Sequence, residues 1–271
     1  MCGSSVGQDF SAMSAELKEA IQTLIERRDL TAERADAAIE AVIGGADSCQ
    51  AAALLVLLKA KGETAAEVAG MVRAMRRHMV PVNPAVPCID IVGTGGDGHH
   101  TVNISTAASI VAAACGATVA KHGNRSVSSL CGSADVLEEV GISLALTPAG
   151  IEKCIAEAGI AFMFAPGFHP AMKNIVPVRK ALGVRTVFNI LGPLINPALC
   201  TRGVIGVYSA DLVQLMAEAL HQLGAELFMV TNTRNKLKRT QTRHSRMQTR
   251  SPHGALHGDL PLTLCNPVLK L

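Results

Sequence analysis

Residues 93–98 read Gly93-Thr94-Gly95-Gly96-Asp97-Gly98, directly after the apolar run Cys88-Ile89-Asp90-Ile91-Val92. G-x-G-x-x-G behind a strand is the spacing of a dinucleotide fingerprint. The context departs from that pattern. The next helix starts late, near Ser105, and Lys121-His122 follows the second strand where a ribose-binding acid is required. A phosphate-type loop remains. Glycines at 93, 95 and 96 let backbone N–H groups turn toward an anion with no Cβ in the way. Asn103-Ile104-Ser105-Thr106 then opens a helix whose positive end favours phosphate. The Ser105 and Thr106 hydroxyls suit a helix cap, a phosphate oxygen or a hard cation. Asp97 would repel a bare phosphate, so it points to a ligand that also brings a sugar hydroxyl, an amine or a metal ion.

A second polar stretch follows the next expected strand: Lys121-His122-Gly123-Asn124-Arg125-Ser126-Val127-Ser128-Ser129, then Gly132-Ser133-Ala134-Asp135. It falls at the carboxyl end of a neighbouring strand, where open parallel sheets bind ligands, so the two loops are expected to converge on one crevice. Two further stretches are His169-Pro170-Ala171-Met172-Lys173-Asn174 through Val178-Arg179-Lys180, and Phe188-Asn189-Ile190-Leu191-Gly192-Pro193-Leu194-Ile195-Asn196-Pro197. Arg179 on a helix reads either as a surface charge or as a guanidinium placed for a carboxylate.

The elements that must hold these residues fall into two grammars. Leu17, Ala20, Ile21, Leu24 and Ile25 recur at helical spacing, and Thr31 is a fair cap for a helix through Val42. Ser48 to Lys59 reads as a third helix, and Thr64-Ala-Ala-Glu67 is a capping box opening a fourth, to about His78. Pro81, Pro84 and Pro87 form a linker. From Cys88 strands are expected at 88–92, 117–120, 142–146, 160–164, 204–207 and 227–230, with helices at 105–115, 134–140 and 149–158. That alternation implies a parallel sheet with right-handed crossovers. The fold class is α/β: a small helical domain over 1–82, an α/β domain over 88–230 with a mainly parallel central sheet, and an atypical basic tail over 231–271, expected to be disordered.

With 271 residues the chain can bury a sizeable core, and its apolar half is mostly Ala, Val, Leu and Ile, the diet of helices packed on parallel strands. The longest apolar run, Ala51 to Leu58, falls well short of the ~20 residues of a spanning helix, and residues 1–5 form no signal core. Eight cysteines without a C-x-x-C pair point to reduced thiols in a non-secreted protein. Charge is uneven: residues 227–258 hold seven basic side chains and no acid, whereas residues 1–226 carry 17 Lys+Arg against 21 Asp+Glu.

Taken in order, GTGGDG-x-x-T-V-N-I-S-T, KHGNR-S-x-S-S, GSADVLE, HPAMK, VR and FNILGPL-x-NP resemble the anthranilate phosphoribosyltransferase family of tryptophan biosynthesis over roughly residues 14–230. The resemblance implies a glycosyltransferase that joins anthranilate to phosphoribosyl pyrophosphate (PRPP) and releases pyrophosphate with the help of Mg²⁺. It implies a cytoplasmic homodimer built through the N-terminal helices (plastidic in a photosynthetic eukaryote), with no membrane and no specific nucleic-acid partner. By matching position, Gly93, Gly96, Asp97, Thr101, Asn103, Ser105, Thr106, Lys121, Ser129 and Ser133 are expected on PRPP, and Gly93, Asn124 and Arg179 on anthranilate. Ser105 is the expected metal ligand, Lys121 and Arg179 the catalytic pair, and His122 carries no assigned role. Positioning and charge stabilisation would carry such a reaction, because an aromatic amine needs no prior deprotonation.

The sequence departs from the family after Val230. There the family continues with a glycine-rich segment whose adjacent Asp-Glu pair binds magnesium; here the chain reads Thr231-Asn-Thr-Arg-Asn-Lys, as a truncated or frameshifted end would. Reduced activity, an exposed sheet edge and exposed apolar helix faces are the expected consequences. Two alternatives are a pyrimidine nucleoside phosphorylase-like enzyme and a phosphoribosyl-binding protein without turnover.

Overall fold

A computed structural model describes residues 5–96, 102–126, 131–232 and the pair 240–241, with side chains within those spans from residue 15 to 232. Four helices come first: α1 (Ser5–Ile25), α2 (Ala32–Ile43), α3 (Ser48–Lys61) and α4 (Ala65–Arg77). Their starts are fixed locally. The Thr31 hydroxyl accepts the Arg34 N–H, Asp47 caps α3, and Thr64 with Glu67 forms the expected reciprocal capping box. Glu67 also reaches beyond its own helix. Its buried carboxylate takes the Leu30 N–H at 2.9 Å and the Lys61 ammonium at 3.1 Å, which ties the α1–α2 connection to α4.

The second part alternates: β1 (Ile89–Gly93), α5 (Ile104–Ala114), β2 (Val119–Gly123), α6 (Ser133–Glu139), α7 (Pro148–Ala158), β3 (Ile160–Phe164) and α8 (Ala165–Phe168). Then come α9 (Met172–Leu182), α10 (Phe188–Leu191) with a 3-10 turn at Gly192–Leu194, β4 (Arg202–Gly206), α11 (Asp211–Gln222), β5 (Leu227–Thr231) and β6 (Thr240–Gln241). The sheet order is β3-β2-β1-β4-β5-β6, parallel throughout except for the antiparallel β5–β6 bridge. The α/β architecture behind a helical bundle is as expected.

The chain steps outward from β1 to β2 and β3, then returns to lay β4 on the other side of β1. β1 and β4 therefore flank the point where the winding reverses, and their carboxyl ends open the crevice in which such sheets hold ligands. Side chains alternate across the sheet. Val92, Ala120, Met163, Ile205, Phe228 and Val230 face a core shared with α7, α11 and the helical bundle. One cluster runs from Leu17 of α1 to Val230 of β5, because α9 packs on α2 and α3, and α11 packs on α4. On the opposite face Ile89, Ile91, Val204 and Met229 are half-buried. Parallel sheets ordinarily cover both faces.

Three expectations need correction. The second strand does not end at Ala120: Lys121 and His122 pair with Phe162 and Met163 of β3, so both are strand residues rather than loop residues. No strand forms over 142–146. The Ile142 N–H instead closes the C-terminus of α6 on the Leu137 carbonyl, with Gly141 at φ +86°, and so serves as a helix cap. The 231–271 tail, expected to be disordered, contributes Thr231 to β5 and the β6 pair; the rest of it beyond Asn232 lies outside the described residues.

Candidate active site

The glycine loop leaves β1 at the reversal point. Gly95 and Gly96 take left-handed backbone angles, φ +67° and +72°, which side chains with a Cβ rarely adopt. Among the described residues no acceptor meets the Gly95 or Gly96 N–H. Thr94 anchors the loop to the neighbouring strand end: its N–H donates to the Gly206 carbonyl at 2.9 Å, and its hydroxyl accepts the Tyr208 N–H at 3.1 Å.

Two helix N-termini stand beside it. α5 starts after Asn103, whose side chain leaves the helix uncapped and donates instead to the Gly132 carbonyl at 3.2 Å. The buried Thr106 hydroxyl donates to the Ser133 hydroxyl at 2.8 Å, so the starts of α5 and α6 are bolted together. Among the described residues the Ser105 N–H, at the positive end of α5, has no acceptor either. Asp135 fastens the second loop onto α6. Its carboxylate accepts the Gly132 N–H at 2.8 Å and the Ser126 N–H at 3.2 Å, and pairs with Arg125. The Gly132 N–H first, and Arg125 after it, hold that carboxyl below the usual range. Arg125 is further engaged by Glu138 at 2.8 Å, so its charge is balanced within the protein.

Lys121, expected on the diphosphate, is 3% exposed and donates to the Ile91 carbonyl at 2.7 Å under the glycine loop. Burial lowers its pKa, against the opposing pull of Asp90. It holds β1 and β2 in register and does not reach out as a free cation. His122 is buried beside it in sequence but on the other face of the sheet. It lies 3.2 Å from both the Gly192 carbonyl and His169 Nε2. Burial, with His169 second, pushes His122 down to about 3, and burial lowers His169 to about 4, so both rings are neutral. Asp90 completes this layer: it accepts the His122 N–H at 3.3 Å and the Asn196 amide at 2.7 Å, and burial raises it to about 6.

Gly93, Gly96, Asn103, Ser105, Thr106, Ser133 and Asn124 thus gather at one end of the sheet, Asn124 through its carbonyl, which takes the Ala134 N–H at 3.2 Å. Asp97, Thr101 and Ser129 lie outside the described residues. Arg179 sits on α9 with its guanidinium 5.6 Å from the Phe188 ring centroid, half-buried and with no hydrogen bond or ion pair among the described residues. Burial lowers its pKa. An unpaired, partly desolvated guanidinium is a group waiting for an anion. Arg185 was not foreseen. It donates to the Gly96 carbonyl and lies 4.5 Å from the Tyr208 ring centroid. The available signal was the chain's single Tyr placed just past a strand. Oxygen donors at the α5 start are hydroxyls, and no three of His, Cys, Asp and Glu form a metal cluster among the described residues, so these residues do not complete a magnesium site by themselves.

Comparison with known proteins places these features. A model of the glycosyl transferase family, a/b domain, matches residues 85–248, past the expected boundary at Val230, and one of the family's helical bundle domain matches 18–79. Anthranilate phosphoribosyltransferase of Chloroflexus aggregans is 53% identical over 208 residues, 76% of this chain and 61% of that protein. The chain therefore spans about three fifths of the length of that relative. The crystal structure of anthranilate phosphoribosyltransferase from Thermus thermophilus superposes with a TM-score of 0.74 at 47% identity, covering 78% of this chain and 65% of that one. The Saccharomyces cerevisiae enzyme in complex with PRPP and Mg gives a TM-score of 0.74 at 30% identity, covering 80% and 66%.

Proposed function

The chain belongs to the glycosyl transferase family, and from that membership we propose that it binds PRPP and transfers the phosphoribosyl group to anthranilate, releasing pyrophosphate. The observation that carries this reading is the convergence of the glycine loop and the α5 and α6 N-termini at the reversal point of the sheet. The N–H groups of Gly95, Gly96 and Ser105, which meet no acceptor among the described residues, suit the phosphates. Arg179 suits the anthranilate carboxylate, and Gly93 and Asn124 lie at the ends of β1 and β2. Pyrophosphate departs with negative charge, which donors fixed in advance stabilise without reorganisation.

Mg²⁺, the ion named with the yeast enzyme, is the proposed metal. This chain offers it the Ser105 hydroxyl, and residues after Val230 contain no adjacent Asp-Glu pair. Metal affinity would then depend on the diphosphate it accompanies, and turnover is expected to be slow. A homodimer through the helical domain is part of the proposal. α3 is apolar around its circumference, with Leu54, Leu55 and Leu58 in the core while Val56 is exposed. A cytoplasmic site is supported by the described cysteines, all of them thiols, and no helix among the described residues is long and apolar enough to cross a membrane.

The test incubates the full chain with anthranilate, PRPP and Mg²⁺ and follows anthranilate fluorescence and pyrophosphate release, with PRPP binding read by calorimetry. PRPP-dependent loss of anthranilate supports the proposal. PRPP binding with no turnover identifies the binding-protein alternative, and phosphorolysis of thymidine in place of either identifies the nucleoside phosphorylase.

A further inference from the structure

Arg185 belongs to the short connection between α9 and α10, after the left-handed Gly183, yet it closes on a loop 89 residues away in sequence. One guanidinium N–H donates to the Gly96 carbonyl, and the guanidinium plane lies over Tyr208 at 4.5 Å. Tyr208 in turn gives its N–H to Thr94, and Thr94 gives its own to Gly206. The circuit 185–96, 185–208, 208–94 and 94–206 joins the α9–α10 connection to the ends of β1 and β4. A Cβ on Gly96 would lie 3.3 Å from the same guanidinium, so the approach is close on the loop side as well.

We propose that Arg185 is a positioning residue of the anion site: it clamps the glycine loop so that its N–H groups face the phosphorylated ligand. The physical reason lies in the peptide plane. An anchored Gly96 carbonyl fixes ψ of Gly96, and the Thr94 contacts to Gly206 and Tyr208 fix the other end of the turn, so the peptide planes between them keep one orientation. Without that anchor, Gly95 and Gly96 sample both signs of φ and the donors are ordered only when ligand binds, at an entropic cost. The remaining guanidinium N–H groups have no acceptor among the described residues, which leaves them for an anionic oxygen of the same ligand. Arg185 thereby differs from Arg179, which stacks on Phe188 and makes no contact with the loop. The clamp stands on geometry alone; its effect on PRPP rests on the reading proposed above.

The test uses the full chain with Arg185→Gln, Arg185→Lys, Tyr208→Phe and Tyr208→Ala. Amide hydrogen exchange without ligand is read at Thr94, whose N–H the Gly206 carbonyl holds, and Arg185→Gln should speed it about tenfold, the value of one charged hydrogen bond. Tyr208→Ala should do the same in part, and Tyr208→Phe, which keeps the ring, should not. Calorimetry with PRPP and Mg²⁺ should show about tenfold weaker binding for Arg185→Gln, with Arg185→Lys between it and the parent. Anthranilate affinity should stay within about twofold in every variant, a split that general destabilisation would not produce. Unchanged exchange at Thr94 in Arg185→Gln overturns the clamp. Unchanged PRPP affinity with faster exchange overturns its role in the site. A parent chain that binds no PRPP overturns the functional reading while the exchange measurement still decides the clamp.

Discussion

Arg179 and the buried histidines show how much depends on which charges the fold leaves unpaired. Arg179 is already partly desolvated and has found an aromatic face but no anion among the described residues. Arg179→Ala should therefore cost little stability, within about 1 kcal/mol, and remove about 2 kcal/mol of anthranilate binding, the worth of a charge-assisted pair. Thermal unfolding and anthranilate titration of that variant check both halves. His169 works the other way. Held to about 4 when folded against an ordinary 6.5, it lets the unfolded chain take up protons first as pH drops. Its contribution is full above pH 6.5 and lost as pH falls toward 4, about 2 kcal/mol by pH 5. Asp90, raised to about 6 from 3.8, opposes this: the stability it lends is full below 3.8 and disappears as pH rises through 6. The histidine effect is thus best read as a difference. Urea unfolding at pH 7 and pH 5 should show the parent losing about 2 kcal/mol more than His169→Gln. Equal losses would mean that His169 titrates normally in the fold.

At the scale of elements, the site is built from ends: two strand termini, two helix N-termini and the loops that join them. The second loop can lie against α6 only because residue 132 lacks a Cβ, which would come within 2.2 Å of the Ser126 nitrogen. Gly132→Ala should displace the loop from α6, cost about 3 kcal/mol in denaturant unfolding and weaken PRPP binding together with it. Gly167→Ala, where an added Cβ meets nothing within 4 Å, provides the control and should stay within about 0.5 kcal/mol. α5 is an unusual helix in the same assembly. Its buried residues are Thr106 and Ser109, whereas Ile104, Ile110 and Val111 are exposed. Its polar side is turned inward: Thr106 fastens α6 through Ser133, and Ser109 donates to the Ser105 carbonyl of its own helix.

Over the whole molecule, one core joins the helical bundle to β4, β5 and α11, so the two parts share their burial. The outer side of α5 and the segment after α6 expose apolar side chains, with Val102, Ile110, Val111, Val140 and Ile142 all exposed. Surfaces of that kind promote association. The double substitution Ile110→Lys, Val111→Glu should lower self-association measured by light scattering across protein concentrations, with circular dichroism unchanged. A parent chain that scatters no more than the variant would show that the surface is harmless.

Much of this protein is legible from residue order alone. The capping box at Thr64, the switch from helical to alternating periodicity at Cys88, and the glycine loop ahead of Asn103-Ile104-Ser105-Thr106 depend on local geometry, which neighbours in sequence decide. Three matters required the tertiary structure. Lys121 reads as a loop cation because charge favours exposure, but ladder pairing with β3 carries it into the sheet and commits its ammonium to Ile91. The Asp90, His122, His169 and Asn196 layer draws on four segments, and burial, which sequence does not measure, sets the protonation of the acid and the two histidines. Arg185 and Gly96 lie 89 residues apart, and nothing in the spacing of either announces the other. Local chemistry named the loop; long-range packing decided which guanidinium holds it.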